Sequence, residues 1–382
     1  MTRVVVCGIA GQLPLAGVAL HYLQYCLGLR DLGIDVFYLE DNAAWPYHPW
    51  ANEPDPEASY TIPWLDDVFG RFELAWAYRS PNGAYHGAGE DEVKRRCCDA
   101  DLLLNVSGGH EPVDHHRSAR VLAYVDTDPG FVQVAAANGD ARSRAWLEAH
   151  DVLFTFAERV GQPGCRLPDA GLRWLPTRQP VHLPFWAEVD DEPGTVYTTV
   201  MNWRAYGSTE WEGDAWGQKD AEFPLVFDLP RATGLEFELA LGGDDAPWDE
   251  LGRAGWRLVD PREPTREPWT FRDYISASRG EVTVAKQAYV RSGSGWFSER
   301  SANYLAAGRA VVAQDTGWAE VLEIGDGDDG LLPFNTADEA RAAVLEVEAD
   351  PARHGAAARR VAESRFDARR VLERLLSDAG VT

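Results

Sequence analysis

The sequence predicts an α/β protein of two domains, each built around a parallel sheet. Its 382 residues exceed the roughly 250–300 at which a single hydrophobic core stops growing. Short apolar runs, each followed by glycine or polar residues, alternate with helical patterns in both halves. The stretch 176–195 between the halves has several prolines and little periodicity, which is typical of a domain linker.

The first half begins as a strand, a glycine-containing loop, a helix and a second strand. Parallel strands need such a crossover helix, so we expect a βαβ unit. The loop is predicted at Gly8–Gly17, and Gly33 is predicted to end the helix. The predicted helix is His21–Arg30, and the predicted strands are Arg3–Cys7, Ile34–Leu39, Leu102–Val106, Val121–Val125 and Val152–Phe156.

The second half repeats this alternation and ends in helices. Strands are predicted at Val196–Met201, Leu235–Leu241 and Ala310–Ala313. The tail Thr336–Leu376 is amphipathic, with a break near Asp350 and Pro351. We therefore predict a first domain at 1–185, a linker at 186–195, a second domain at 196–365 and a C-terminal helix at 366–382 that packs back toward the first domain.

The charge balance argues against nucleic acid as a partner. The chain has 36 Lys and Arg against 61 Asp and Glu, a formal net charge of -25, which repels a phosphate backbone. The only lysines are Lys94, Lys219 and Lys286, so a lysine inside a motif is informative.

The cysteines and the N-terminus favour a cytoplasmic protein. The five cysteines lack the density of a disulfide scaffold and the spacing of a paired zinc site. Met1 leads directly into a strand, and no apolar run reaches the length of a membrane span. We expect neither secretion nor a membrane span.

A small, glycine-rich loop precedes a helix in the second half and predicts an anion site. The backbone N–H groups and the positive end of the helix dipole would hold a phosphate there. A flexible turn before a surface helix is the alternative. The residues assigned to the anion are Ser294, Gly295, Ser298, Glu299, Arg300 and Ser301. We expect Arg300→Ala to weaken nucleotide binding about ten- to a hundredfold and to leave folding nearly untouched.

The run from Asn303 to Val312 that follows this loop resembles the second domain of GT-B glycosyltransferases. The resemblance implies two Rossmann-like domains that face each other across a cleft, and a nucleoside-diphosphate sugar, with dTDP or UDP favoured over GDP, bound without a metal or cofactor. The chain departs from the commonest retaining branch, because Asn303 and Gly295 stand where that branch has glutamates. Glu299 is our substitute for the ribose ligand, since a carboxylate accepts both sugar hydroxyls.

The same resemblance implies an arginine and a lysine on the diphosphate after the first strand of this domain. Arg204 and Lys219 occupy those places, and they would neutralise the leaving group without a metal. Ordinary solvated charges are the alternative for both residues. Lys286 is a further donor-site candidate, with a salt bridge to Glu281 or to the acidic surface as its alternative. Trp256 is placed near the nucleotide base, with a position in the core as its alternative.

In the first half, two loops at the carboxyl ends of predicted strands lie where open α/β sheets bind ligands. Gly8–Gly11 lacks the G-x-G-x-x-G spacing, which disfavours an NAD enzyme. The resemblance implies acceptor recognition here, and we assign it to Gly11, Asn105 and Ser107. The candidate general bases are His110, Asp126 and Asp128, although the two aspartates would also suit a helix cap and His110 a turn.

The stretches Tyr124–Gln133, Thr155–Trp186, Trp203–Phe223 and Ser278–Thr316 together resemble an actinobacterial branch of GT-B-like proteins. The function predicted from this resemblance is transfer of a sugar from a nucleoside-diphosphate sugar to a small-molecule acceptor, in the setting of natural product biosynthesis. A nucleotide-sugar 2-epimerase and a nucleotide-binding protein without transferase activity are the alternatives.

Overall fold

Two parallel sheets, one from each half of the chain, form the framework of the computed structural model. The structure describes residues 1–187, 192–205, 207–243, 245–325 and 327–381. Of the predicted linker 186–195, residues 188–191 lie outside this described part. None of the described helices combines the length and the apolar character that a membrane crossing requires.

The first sheet has eight strands in the order β10-β9-β8-β7-β1-β2-β5-β6, and all neighbours are parallel except β5 and β6. Apolar residues occupy both faces of its central strands, so the strands are almost fully buried, as expected for a sheet covered on both sides. The strands of this half are β1 (Arg3–Cys7), β2 (Asp35–Glu40), β3 (Tyr47–His48), β4 (Glu53–Pro54), β5 (Ala75–Arg79), β6 (Tyr85–Gly87), β7 (Leu102–Val106), β8 (Leu122–Asp126), β9 (Val152–Thr155) and β10 (Trp174–Pro176), of which β3 and β4 form a separate pair.

The helices of the first half cover the faces of this sheet. They are α1 (Ala16–Asp31), α2 (Thr61–Arg71), α3 (Glu90–Cys98), α4 (Val132–Ala137) and α5 (Ala141–Glu148). The predicted strands are present to within a residue or two at each end. Helix α1, however, begins at Ala16, five residues before the predicted start, so Gly17 belongs to the helix and not to the loop.

The second sheet has six parallel strands in the order β15-β14-β11-β16-β17-β18. Its strands, together with the separate hairpin of β12 and β13, are β11 (Val196–Asn202), β12 (Thr209–Trp211), β13 (Asp214–Trp216), β14 (Glu236–Gly242), β15 (Trp256–Val259), β16 (Gly280–Thr283), β17 (Ala310–Gln314) and β18 (Leu331–Phe334). The helices are α6 (Leu229–Thr233), α7 (Trp248–Ala254), α8 (Pro268–Ser276), α9 (Gln287–Ser292), α10 (Glu299–Ala306), α11 (Trp318–Val321), α12 (Ala337–Ala349), α13 (Pro351–Val361) and α14 (Ala368–Asp378).

The last helix returns to the first half, as the sequence predicted. Asp350 caps α13 at the predicted break, and a π-helical turn at Ala362–Phe366 leads into α14. Helix α14 packs on α1, and Gly28 permits the close approach: a Cβ atom at this position would lie 2.6 Å from Leu372 and 2.7 Å from Ala368. This packing ties the end of the chain to its first helix.

Candidate functional site

A cleft of about 1140 Å³ lies where the two halves meet. Its walls are the loops at the carboxyl ends of strands in both sheets, because Ser107 follows β7, Asn202 ends β11 and Gly243 follows β14. Open parallel sheets present their ligand-binding loops at this edge. The residues that sequence reasoning assigned to the site and that line the cleft are Ser107, Asp128, Lys219, Lys286, Ser298, Glu299 and Arg300.

The N-terminus of α10 faces this cleft. Ser298 occupies the N-cap position but makes no side-chain capping hydrogen bond, and the first turn of any helix leaves its N–H groups without intrahelical acceptors. Behind the turn, the hydroxyl of Ser301 is fully buried and has no partner among the described residues. This end of the helix therefore offers unused donors together with the positive end of the dipole.

Lys219 brings to the same place an amino group that has no partner among the described residues. Its ammonium makes no hydrogen bond or ion pair with any residue in the described part of the chain, although its side chain also lines the small hollow behind Ser298 and Ser301. Burial and the nearby Arg300 guanidinium lower the pKa of Lys219 well below its usual value, against the opposite effect of Glu281. A bound anion would offset the repulsion between Arg300 and a protonated Lys219, and so would favour the charged form of Lys219.

Arg300 is engaged by the protein itself. Its Nε donates to Glu281, Nη1 donates to the carbonyl of Val200 at 2.8 Å, and Nη2 donates to the hydroxyl of Thr283 at 2.8 Å. Glu281 is completely buried. The expectation that Arg300 can be removed without effect on folding is therefore wrong, because its loss would leave a buried carboxylate without its cation.

Lys286 pairs with Asp128 across the cleft, and not with Glu281. The lysine Nζ lies 2.7 Å and 2.9 Å from the two carboxylate oxygens, and the hydroxyl of Tyr289 also donates to Asp128. Burial raises the pKa of Asp128 above its usual value, although the ammonium of Lys286 opposes that shift. The ring of Tyr289 stacks on Trp296, whose Nε1 donates to the carbonyl of Thr127 at 3.0 Å. These contacts join the two halves.

A second pair across the cleft joins His21 to Glu299. The Nδ1 atom of His21, on α1, is in direct contact with the carboxylate of Glu299, at the start of α10. His21 lines the cleft and is 6% exposed, and its Nε2 has no hydrogen-bond partner among the described residues. Sequence reasoning missed His21, and the one available signal was a histidine in an apolar helix directly after the first glycine loop.

The other two base candidates lie below the floor of the cleft. Asp126 is 1% exposed and accepts hydrogen bonds from Gln133, Thr155 and Tyr124, and burial raises its pKa to about 7. His110 is 2% exposed, and burial, followed by the neighbouring His116, lowers its pKa to about 4. Neither residue lines the cleft, so a direct contact with substrate is excluded by position.

Two of the three acceptor candidates are also internal. The N–H group of Gly11 donates to Glu40 at 2.7 Å, and the amide of Asn105 donates to the carbonyl of His110 at 2.9 Å. Both bonds fix loops beneath the cleft. Ser107 does reach the cleft, where its hydroxyl accepts a hydrogen bond from Thr127.

The remaining predicted nucleotide ligands lie outside the cleft. Arg204 is beside it, exposed, and paired with Asp220 at 2.7 Å and Asp245 at 2.9 Å. Trp256 packs among core aromatics and donates to the carbonyl of Phe227 at 2.8 Å, so its assignment to the base is wrong.

Ser294 and Gly295 shape the loop from beneath through backbone hydrogen bonds, and they do not line the cleft. Gly295 has a φ of +77°, which favours glycine. Asn303 is buried and accepts from Gln24 of α1 at 3.2 Å. The position at which the resemblance expected a ribose-binding glutamate therefore serves contact between the two halves.

Solved structures of similar architecture identify the fold of this chain. No family model matches the chain, and no curated protein matches it. Among solved structures, the chain is similar to an alpha-glucosyltransferase in complex with UDP, with a TM-score of 0.60, 10% identity and 100% of both chains covered. It is similar to HepE of Anabaena in complex with UDP and glucose, with a TM-score of 0.58, 11% identity and 100% of both chains covered.

A third similar structure is AviGT4, a glycosyltransferase involved in avilamycin A biosynthesis, with a TM-score of 0.54 and 15% identity over 99% of this chain and 97% of that one. The chain therefore has the GT-B fold, as the sequence predicted.

Proposed function

We propose that the cleft binds a nucleoside-diphosphate sugar and transfers its glycosyl unit to a hydroxyl group of a small-molecule acceptor without a metal. The observation that carries this proposal is the amino group of Lys219, which has no partner among the described residues, beside the N-terminus of α10. Free N–H groups, the hydroxyl of Ser298 and the amino group of Lys219, which an anion would hold in its protonated form, match the needs of a diphosphate. They also stabilise the negative charge that develops on the leaving group.

His21 is the general base of this proposal. Its Nδ1 is held by Glu299, so its Nε2, which is buried at the wall of the cleft and has no partner among the described residues, is the basic atom. Nε2 takes the proton of the acceptor hydroxyl while the acceptor oxygen attacks the anomeric carbon. The bond from that carbon to the phosphate oxygen breaks, and its electron pair leaves with the diphosphate. Glu299 stabilises the resulting imidazolium, and a single displacement inverts the anomeric configuration.

This role replaces the two assignments that Glu299 and Asp128 received from the sequence. Glu299 is occupied by His21 and therefore orients the base instead of holding the ribose. Asp128 is occupied by Lys286 and Tyr289. His21 thus combines three properties of a general base: it lines the cleft, one of its ring nitrogens has no partner in the described part of the chain, and a carboxylate fixes its orientation.

The donor is UDP-linked or dTDP-linked in this proposal. UDP occupies the solved alpha-glucosyltransferase and HepE structures, which supports a pyrimidine nucleotide. The acceptor is a small apolar molecule, because the wall of the cleft on the side of the first half includes Ile9, Leu13, Leu15, Val18 and Tyr47.

A related alpha-glucosyltransferase structure contains DNA, but this chain, with a formal net charge of -25, is unsuited to a nucleic acid acceptor. Localisation in the cytoplasm, an actinobacterial origin and a place in natural product biosynthesis remain predictions of the sequence.

A thermal-shift screen against UDP, dTDP, GDP and ADP, repeated in EDTA, tests the donor site. A ligand at about a hundred times its Kd stabilises the native state by about 2.7 kcal/mol. We expect UDP or dTDP to raise the Tm equally with and without EDTA, and strict dependence on magnesium would contradict the metal-free site. Release of UDP or dTDP from the corresponding sugar donor is then followed with a panel of hydroxylated apolar acceptors. Acceptor-dependent release supports transfer, whereas tight binding without turnover across the panel supports the silent nucleotide-binding protein.

A further inference from the structure

A second group of polar residues lies at the carboxyl edge of the first sheet, outside the cleft. Asp41 directly follows β2, and His115 and His116 lie between β7 and β8, at the start of a short helical turn. The Nε2 atom of His115 is 2.7 Å from Asp41 Oδ2, and the Nε2 atom of His116 is 3.1 Å from Oδ1. All three ligand atoms lie within 4.8 Å of one another.

His116 shows that hydrogen bonding alone does not account for this cluster. Its side chain is 2% exposed, yet its Nε2 faces the Asp41 carboxylate at an angle that makes no hydrogen bond and has no other partner in the described residues. Leaving a buried polar atom without a partner is unfavourable unless something else binds it. The unused ring nitrogen points at the place where the other two ligand atoms converge.

The chemistry of these atoms suits a zinc-type ion. Two imidazole nitrogens and one carboxylate oxygen form a three-ligand set that zinc uses, with water at the fourth position. A tetrahedral ion at roughly 2.0–2.2 Å from its ligands holds them about 3.3 Å apart. The separation at His116 already fits that distance. His115, which is 20% exposed, can withdraw slightly from Asp41 and leaves a route for the water ligand.

The neighbouring groups hold the carboxylate in place and ionised. The hydroxyl of Tyr85 donates to Asp41 Oδ2 at 3.2 Å, and the N–H group of Asp41 donates to Nε2 of His110 at 3.0 Å. Burial alone would raise the pKa of Asp41, but its contacts with His115 and His116 hold that pKa well below its usual value. Such outer contacts fix the orientation of ligands around a metal.

We propose that Asp41, His115 and His116 bind one divalent transition metal ion of the zinc type. In the metal-free protein, the ring proton of His115 is on Nε2, where it donates to Asp41. The ring proton of His116 is also on Nε2, because its Nδ1 accepts a 3.4 Å hydrogen bond from the N–H group of Val113. Metal binding moves each of these protons to Nδ1 and gives up the long bond from Val113. Two metal–nitrogen bonds and one metal–oxygen bond form in exchange.

The ion fixes the start of the segment from Asp41 to Asn52, which reaches the cleft. Asn42, next to Asp41, donates to Gln12 at 3.2 Å and to the carbonyl of Gly109 at 3.1 Å. Farther along the segment, Tyr47 and Asn52 line the cleft. The metal thus has a structural role, separate from the diphosphate site, and the inference does not rest on the proposed transfer activity.

Metal titration of the full chain tests the site directly. The protein is stripped with a chelator, and Zn²⁺ binding is followed by calorimetry and Co²⁺ binding by its visible absorption. We expect one ion per chain and an absorption band of four-coordinate cobalt. The variants His115→Ala, His116→Ala and Asp41→Asn should each weaken zinc binding at least tenfold. His86→Ala, which alters a half-buried histidine of neighbouring β6, should leave it unchanged.

Because His115 is partly exposed, His115→Ala is expected to fold even if the two buried positions do not tolerate change, and a thermal melt checks this. Two results would overturn the proposal: a parent protein without stoichiometric binding, or equal affinities for His115→Ala and the parent. Equal losses in His86→Ala and His115→Ala would also overturn it, since they would show adventitious binding to surface histidines.

Discussion

Replacement of Lys219 by methionine separates the proposed diphosphate site from a merely structural cleft. Methionine keeps the approximate length of the side chain and removes the charge. Charge-assisted hydrogen bonds contribute about 1.5–3 kcal/mol, and every 1.4 kcal/mol is about tenfold in affinity. Lys219→Met should therefore weaken UDP binding about ten- to a hundredfold.

The same substitution should leave the native fold intact. In the free protein, burial and the charge of Arg300 oppose protonation of Lys219, and no described residue pairs with it. Loss of the ammonium therefore removes repulsion and breaks no contact. We expect the free energy of unfolding in urea to stay equal to that of the parent or to rise.

Calorimetric titration with UDP and with uridine provides the assay. Uridine lacks the diphosphate, so its affinity should be the same for Lys219→Met and the parent. The matched control is Lys94→Met, because Lys94 lies on α3 with half of its side chain exposed and pairs only with Glu90 in the described structure. Unchanged UDP affinity in Lys219→Met would refute the reasoning. A loss that is as large for uridine as for UDP would also refute it, since it would reflect distortion of the cleft.

Three further substitutions test other parts of the structure. Arg300→Ala should lower the free energy of unfolding in urea by about 3–5 kcal/mol, because it leaves the buried carboxylate of Glu281 unpaired. Arg204→Ala, which removes an exposed ion pair with Asp220, should change that free energy little. His21→Gln should lower kcat by about 10²- to 10⁴-fold with UDP affinity within about twofold, and an unchanged kcat would exclude His21 as the base. Burial raises the pKa of Glu40 to about 7, so the folded protein keeps this proton while the unfolded chain loses it near its usual value. The stabilisation that results is present at low pH and is lost as the pH rises toward 7, by up to about 3 kcal/mol. Glu40→Gln should lack this decline when unfolding is compared at pH 5 and pH 7.5, and parallel pH profiles would contradict it.

The strands and most helices could be predicted because their signals are local. A run such as Leu102–Val106 is apolar on both faces and matches a buried parallel strand without further information. The early start of α1 could not be predicted in this way. The N–H group of Ala16 donates to the carbonyl of Thr265 at 2.7 Å, so the first turn of α1 depends on a contact with the second half.

The site residues also differ in whether a local signal or a distant contact reveals them. The glycine-rich loop and Lys219 could be recognised because spacing and rarity mark them in the sequence. The partners of charged residues are not marked in this way. In the sequence Arg300 resembles a phosphate ligand, but in the structure it forms an ion pair with Glu281 on strand β16. His21 was missed for the same reason, since its significance depends on a carboxylate from the other half of the chain.

Pairing of charges within the cleft gives a strongly acidic chain a local site for an anion. Glu281 is neutralised by Arg300 and Asp128 by Lys286, and Glu299 contacts the ring of His21, so each of these acidic side chains at or beside the diphosphate site has a cationic or hydrogen-bonding partner. Lys219 and the N-terminus of α10 have no such partner among the described residues, so they remain able to bind an anion although the whole chain carries a formal net charge of -25. Two of these pairs join residues from opposite halves, so the cleft must be closed for them to form. Closure of the cleft and its capacity to bind a diphosphate consequently depend on the same contacts.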